Sequence, residues 1–255
     1  MEEKLRVTLI ANAGLLLEYA GTKLLLDGIY EPEGHFFSPI APELWQAMLR
    51  GEPPFETLDY LLFTHAHPDH FSSEMTREFL ECRTIKGLFL PQAALEEDSG
   101  LGIFLRKKKI PTVLLSKRTG HAAYHLEQDI TVRTIPTRHL DKKYAQIEHF
   151  CYLISFGAKR VLFTADVDYT TETFATLGDT HLRAAFVNPL FYSALRWEKF
   201  FKGTLNAEQI CVYHVPFAEN DSMGMRQTLA RNVAAWPRDG AETTVLDEPR
   251  KQIEL

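Results

Sequence analysis

Cysteine is scarce: Cys82, Cys151 and Cys211 are the only three in 255 residues, odd in number, far apart and without a CxxC spacing. That excludes a disulfide framework and a cysteine zinc site, and it predicts reduced core thiols. No apolar run is long enough to span a bilayer, and the opening Met1-Glu2-Glu3-Lys4-Leu5-Arg6-Val7 enters a strand without the basic and then apolar segment of a secretory leader. The expectation is a cytoplasmic, soluble protein with no membrane partner. Positive charge is not in surplus: 28 Lys and Arg stand against 34 Asp and Glu, a formal net charge of −6, which disfavours nucleic acid as a partner. The run Arg106-Lys107-Lys108-Lys109 reads as a solvated helix end, where cations suit the macrodipole. There is no GxSxG nucleophile motif, low-complexity tract or solenoid period.

What the chain does have is a hydrophobic content of 45%, ample for a buried core, and one dense polar cluster. The apolar run Tyr60-Leu61-Leu62-Phe63 leads into Thr64-His65-Ala66-His67-Pro68-Asp69-His70-Phe71, an HxHxDH pattern. Packing does not explain it, because a core would have to satisfy every one of these polar groups. In an extended segment His65 and His67 project to the same side and can share a cation. Pro68 bends the chain and presents Asp69 and His70 from another direction. Ser72 or Ser73 can then cap a helix through Glu74, Met75, Arg77, Phe79 and Leu80. A histidine-rich surface loop is the ordinary alternative, but imidazole and carboxylate at i, i+2, i+4 and i+5 are donors that zinc, manganese and iron take.

With HxHxDH after a strand, the chain resembles the metallo-β-lactamase fold hydrolases over nearly its whole length. That family also has, in order, an Asp after an early strand, a His, an Asp and a last His, each following a strand. Asp27, His139, Asp166 and His214 stand in those places. The resemblance implies one metal on His65, His67 and His139, a second on Asp69, His70 and His214, Asp166 as the bridge, and Asp27 orienting the ligand loop. His149 competes with His139 for the first metal; because it enters a strand instead of following one, it is read as contacting substrate or supporting a ligand. The opening Asn12 to Tyr19 looks most like the branch that contains sugar-phosphate lactonases. His67, where a diiron oxygen-reducing branch carries Glu, favours hydrolysis over redox chemistry.

Along the chain, strands are expected at Arg6 to Ala11, Leu15 to Tyr19, Lys23 to Leu26, Leu58 to Phe63, Thr84 to Leu90, Thr112 to Ser116, His121 to Glu127, Ile130 to Ile135, Phe150 to Phe156, Lys159 to Phe163, Arg183 to Val187 and Ile210 to Tyr213, with an edge strand possible at Thr243 to Leu246. Helices are expected at Pro42 to Arg50, after Ser72, from Pro91 to Leu95 until Ser99, Gly100 and Gly102 interrupt it, around Ala194 to Phe201, and from Ser222 to Trp236. The irregular Ile29 to Pro42 is a candidate lid, with His35 an ordinary loop histidine. Two strand-rich halves with helices predict an α/β fold, a four-layer αββα sandwich, and candidate ligands spread from position 65 to 214 favour a single domain over residues 1–255.

The implied chemistry is coherent. Two divalent cations, zinc first with manganese or iron as alternatives, lower the pKa of a bridging water from 15.7 towards about 7, so a hydroxide nucleophile exists at neutral pH. Asp69 can bind metal and take the proton, so it is the catalytic candidate. The expected activity is hydrolysis of a small anionic ester, lactone or phosphodiester. A metal-dependent nuclease and a non-catalytic metal-binding sensor are the competing readings. Arg138, Lys142, Lys143 and Tyr144 flank His139 and can receive a phosphate or carboxylate, or form a solvated loop. Self-association into a homo-oligomer is compatible with this composition.

Overall fold

The computed structural model describes residues 3–127, 129–168, 174, 177, 179–194, 205–235 and 241–255. The first sheet is built from β1 (Arg6–Leu9), β2 (Leu15–Tyr19), β3 (Thr22–Leu26), β4 (Tyr60–Leu62), β5 (Gly87–Pro91) and β6 (Thr112–Leu115) in that order. The second contains β7 (Ala122–His125), β8 (Ile130–Thr137), β9 (His149–Phe156), β10 (Lys159–Phe163), β11 (His181–Val187), β12 (Asn206–Val212) and β13 (Glu242–Val245), again in spatial sequence. The last strand, β14 (Gln252–Glu254), returns to the first sheet and pairs with β1. Each sheet therefore has antiparallel pairing across one half and parallel pairing across the other.

Local chemistry supports these elements. Ala20 and Gly21 both have positive φ (48° and 81°), so the β2–β3 hairpin closes on a turn whose twist matches its strands. Leu15, Leu17, Leu24 and Leu26 face the second sheet, where they meet residues such as Val132, Tyr152, Ile154 and Phe163 in a shared interlayer core. Leu16, Leu25 and Leu61 point the other way, under α1 (Pro42–Arg50), α2 (Ser73–Cys82) and α4 (Ser99–Lys108). Strands buried on both faces read as continuous apolar runs, which explains Leu24-Leu25-Leu26. The outer face of the second sheet is covered by α5 (Pro189–Ala194) and α6 (Met225–Ala235). The architecture is the expected four-layer sandwich.

Several boundaries differ from expectation. Glycine does not interrupt the helical region near position 100: α3 (Gln92–Glu97) ends at Asp98, whose carboxylate accepts from Gly100 and Leu101 N–H and starts α4 through both glycines. That cap outweighs the low helix propensity of Gly. The strand expected from Thr84 begins at Gly87, and the one expected to end at Ile135 continues to Thr137 because it pairs with β9 as far as His149. Cys82 is exposed on the last turn of α2; only Cys151 and Cys211 are core thiols, and all three are free. The helix expected around Ala194 to Phe201 falls mostly outside the described residues. Among the described residues, no helix is long and apolar enough to cross a membrane.

Candidate metal centre

β3, β4, β8, β10 and β12 all point the same way, and their C-terminal ends open on one rim of the sandwich. His65, His67, Asp69 and His70 come from the loop after β4, His139 follows β8, Asp166 follows β10 and His214 follows β12. The structure brings these seven residues together in two groups. One donor atom from each of His65, His67 and His139 lies within 4.8 Å of the others, and the same holds for Asp69, His70, Asp166 and His214. Asp166 touches both groups: its Oδ2 is 3.6 Å from His139 Nε2 and 3.5 Å from His70 Nε2, and its Oδ1 is 3.4 Å from His214 Nε2.

Asp27, fully buried at the end of β3, organises the loop after β4. Its carboxylate accepts from Thr64 N–H at 2.8 Å, Thr64 Oγ1 at 2.6 Å and His70 Nδ1 at 2.9 Å. Since the Thr64 hydroxyl spends its proton on Asp27, it can only accept from His65 Nδ1, 3.0 Å away. His65 is thus held with the proton on Nδ1 and the Nε2 lone pair facing inward, as a metal ligand requires, and His70 is held by Asp27 with its Nε2 turned the same way. His214 Nδ1 meets the Asn12 amide at 2.7 Å, and the Asn12 Oδ1 has no partner. Turning that amide about its axis lets Oδ1 accept from Nδ1 and frees His214 Nε2 in the same sense.

Whether these residues fit a cation is answered by unpartnered atoms. His65, His67, His139 and His149 each have a buried Nε2 without a hydrogen-bond partner. A buried polar nitrogen left without a partner costs about 1–3 kcal/mol, so four in one cluster fit a ligand set for a cation. The electrostatics divide the centre. Burial, helped by His70 and His149, holds His65 well below the usual imidazole range, and burial with His139 and His70 brings His67 down to about 4. For Asp69 burial pushes upward, but His70 and His214 outweigh it and hold the carboxyl at about 2. Asp166 is likewise kept well below its ordinary value, against burial, by His214, His139 and His70. His70 moves the other way: burial opposes the charge, yet Asp69 and Asp27 raise it well above the imidazole range.

The backbone is strained where it serves the centre. Asp27, Ala165 and His214 have positive φ (45°, 45° and 61°), which costs about 1–2 kcal/mol for each non-glycine residue. Ala165 is held there by its N–H to Tyr213 Oη at 3.0 Å and by Asn188 Nδ2 to its carbonyl at 2.8 Å, which aims the next residue, Asp166. Behind His214, Asn12 N–H donates to Tyr30 Oη, Tyr30 donates to the Ser38 carbonyl, and Ser38 Oγ accepts from Phe217 N–H.

The Ile29 to Pro42 segment forms a wall here. Phe37 meets the His214 ring edge-on at 4.4 Å and the half-exposed Phe36 packs against Phe37 with its ring tilted, while both nitrogens of His35 are taken by the segment's own backbone at Glu31 and Phe37. Across the mouth, Tyr144 lies 4.6 Å from His67 and 5.0 Å from His139, with Lys143 over its ring. Arg138 and Lys142 are exposed on the same loop. Asn12, Tyr30, Ser38, Thr64, Tyr213 and Asn188 were not singled out as site residues in the sequence; a polar residue beside a strand end is the only local signal they carry.

A sequence profile described as the β-lactamase superfamily domain matches residues 24–215, from β3 through the last histidine of the centre. The chain belongs to the metallo-β-lactamase fold family. Its fold is similar to that of YhfI of Bacillus subtilis, a metallo-β-lactamase fold protein (15% identity, TM-score 0.67, covering 99% of this chain and 100% of that one). It is also similar to an isothiocyanate hydrolase from Delia radicum gut bacteria (14%, TM-score 0.65, 97% and 98%) and to CmlA of Streptomyces venezuelae, a diiron β-hydroxylase (19%, TM-score 0.62, 100% and 55%). At these identities the likeness is one of fold. No curated protein matches the sequence.

Proposed function

We propose that this chain is a dinuclear metal-dependent hydrolase of a small anionic ester, lactone or phosphodiester, with zinc the first choice of metal and manganese or iron the alternatives. The observation that carries the reading is the pair of donor groups joined by Asp166. His65, His67 and His139 would hold one cation, and Asp69, His70 and His214 the other, with Asp166 between them. When bound, such a pair supplies an activated water and an electrophile for a carbonyl or phosphoryl oxygen. Asp69, ionised at neutral pH and retaining slight solvent access, is placed to take the proton. Arg138, Lys142 and Lys143 would receive the anionic part of the substrate, while Phe36 and Tyr144 shield the mouth from opposite sides. On this reading the protein acts in the cytoplasm, with neither membrane nor nucleic acid as partner.

The family fold also carries diiron hydroxylation in CmlA, so the metal-nitrogen count matters. His67, where a diiron oxygen-reducing branch carries Glu, favours hydrolysis over redox chemistry here. The test is to assay bis(p-nitrophenyl) phosphate, simple lactones and single-stranded RNA side by side with zinc, manganese and iron. Metal-dependent turnover of the small substrates supports the proposal. Cleavage of RNA alone would make the chain a nuclease, and metal binding without turnover of any of them would leave the sensor reading.

A further inference from the structure

His149 is the first residue of β9, paired with Thr137 at the end of β8. The next residue, Phe150, donates its N–H to the Thr64 carbonyl at 3.0 Å, which ties this strand to the loop bearing His65 and His67. The His149 side chain is fully buried, its ring 5.0 Å from that of His65 and 5.9 Å from that of His139. Its Nδ1 is 2.6 Å from Thr137 Oγ1, but its Nε2 has no partner.

A fully buried Nε2 cannot greet a substrate arriving from the mouth. Without a protein partner, it does not support a neighbouring ligand through that atom either. Both roles expected for it from sequence are therefore poorly served. The three other imidazole Nε2 atoms in the same condition belong to His65, His67 and His139. Moreover, His139 lacks the support that Thr64 gives His65: its Nδ1 faces the Asp141 N–H at 3.4 Å, a donor, where a ligand needs an acceptor to keep the proton on its outer nitrogen.

We propose that, when a cation is held, His149 turns in as a fourth imidazole of the first cation position, beside the trio His65, His67 and His139 whose donor atoms already lie within 4.8 Å of one another. This rests on the reading that the cluster holds metal. An all-imidazole set carries no charge of its own and, with four nitrogens, resembles the closed sets of structural zinc more than the open sets of catalytic zinc. The site for substrate then falls to the half built by Asp69, His70, Asp166 and His214.

The test uses the full chain loaded with cobalt(II), read by equilibrium competition with a chelator and by visible absorption. Wild type should hold two ions. His149→Ala should weaken one of them by more than the ~10- to 100-fold typical of a change outside the ligand set, and should alter the visible bands. Thr137→Val keeps the side-chain shape and removes the hydroxyl behind Nδ1; it should weaken the same ion by about 10- to 100-fold and serves if His149→Ala does not fold. Two ions held by both variants with wild-type affinity and spectrum would overturn the assignment while leaving the hydrolase reading intact. A wild-type chain that binds no cobalt or zinc removes that reading, and this one with it.

Discussion

The two halves of the centre solve the same burial problem in opposite ways. Around His65, His67 and His139 each Nε2 lacks a hydrogen-bond partner, burial drives protons off His65 and His67, and the trio contains no carboxylate of its own. Around Asp69, His70, Asp166 and His214 the groups satisfy one another: His70 Nε2 lies 2.8 Å from His214 Nε2, and a protonated His70 sits among three carboxylates, those of Asp69, Asp27 and Asp166. In the second half a proton does part of a cation's work; in the first nothing does. A cation entering the first half relieves lone pairs, whereas one entering the second must displace a proton.

The largest break in that comparison comes from Asp69→Asn. It keeps an oxygen donor but removes the charge and the proton acceptor, so kcat should fall by about 10² to 10⁴ while total metal content changes little. Unchanged turnover at full metal loading would reject the assigned role. His139→Ala should act on the other half, lowering the affinity for one ion by more than roughly 100-fold, as metal analysis after dialysis would reveal. Asp27→Asn reaches both halves, since the same carboxylate positions His70 directly and His65 through Thr64; metal affinity should drop about 10- to 100-fold.

Acid should separate the halves in the metal-free protein. His67 titrates near 6.5 when unfolded and at about 4 when folded, so the unfolded chain binds more protons in that window and stability falls as pH drops through it; His65 adds to the loss. Asp69, lowered to about 2, contributes stability above its unfolded value near 3.9 that is lost towards pH 2. His70 has the opposite sign: its raised value stabilises at low pH and the gain is lost as pH climbs above about 6.5. Urea midpoints from pH 3 to 9 should therefore have a shallower slope between 6.5 and 4 in His67→Gln, with the part due to His65 remaining, and a slope undiminished by the substitution would contradict the first half's account. The smallest expected effect is at the rim, where Lys143→Ala should raise KM for an anionic substrate by about 2- to 5-fold, an exposed charge being worth little, and leave a neutral one unaffected.

How much of this could be read from sequence follows the same division. The loop after β4 announces itself because four donors fall within six residues, His65 to His70. His139, Asp166 and His214 each appear alone, visible only as single residues at the ends of apolar runs, and their convergence depends on five strands sharing a direction. The αββα layers were legible in paired strand-rich halves. The supporting residues were not: Asn12 meets His214 across 202 positions, and Thr64 meets Asp27 across 37, by folding alone. The turn at Asp98 was misread because a side-chain cap, not the glycines after it, decides where one helix ends and the next begins.

The hairpin turns at Ala20-Gly21 and Gly157-Ala158 lie at the far rim, where β3 and β10 begin, and Tyr19 packs beside Phe156 there. Drift and engineering therefore face two different surfaces. At the rim carrying the centre, three residues with left-handed backbone leave few acceptable replacements: a β-branched side chain at Ala165 would be refused by the main chain before chemistry was consulted. At the far rim no side chain serves the centre; a Cβ at Gly157 would stand 2.8 Å from Tyr19 Oη, so a tag or an inserted peptide belongs at the Ala20-Gly21 turn, where Gly21 has open space around it.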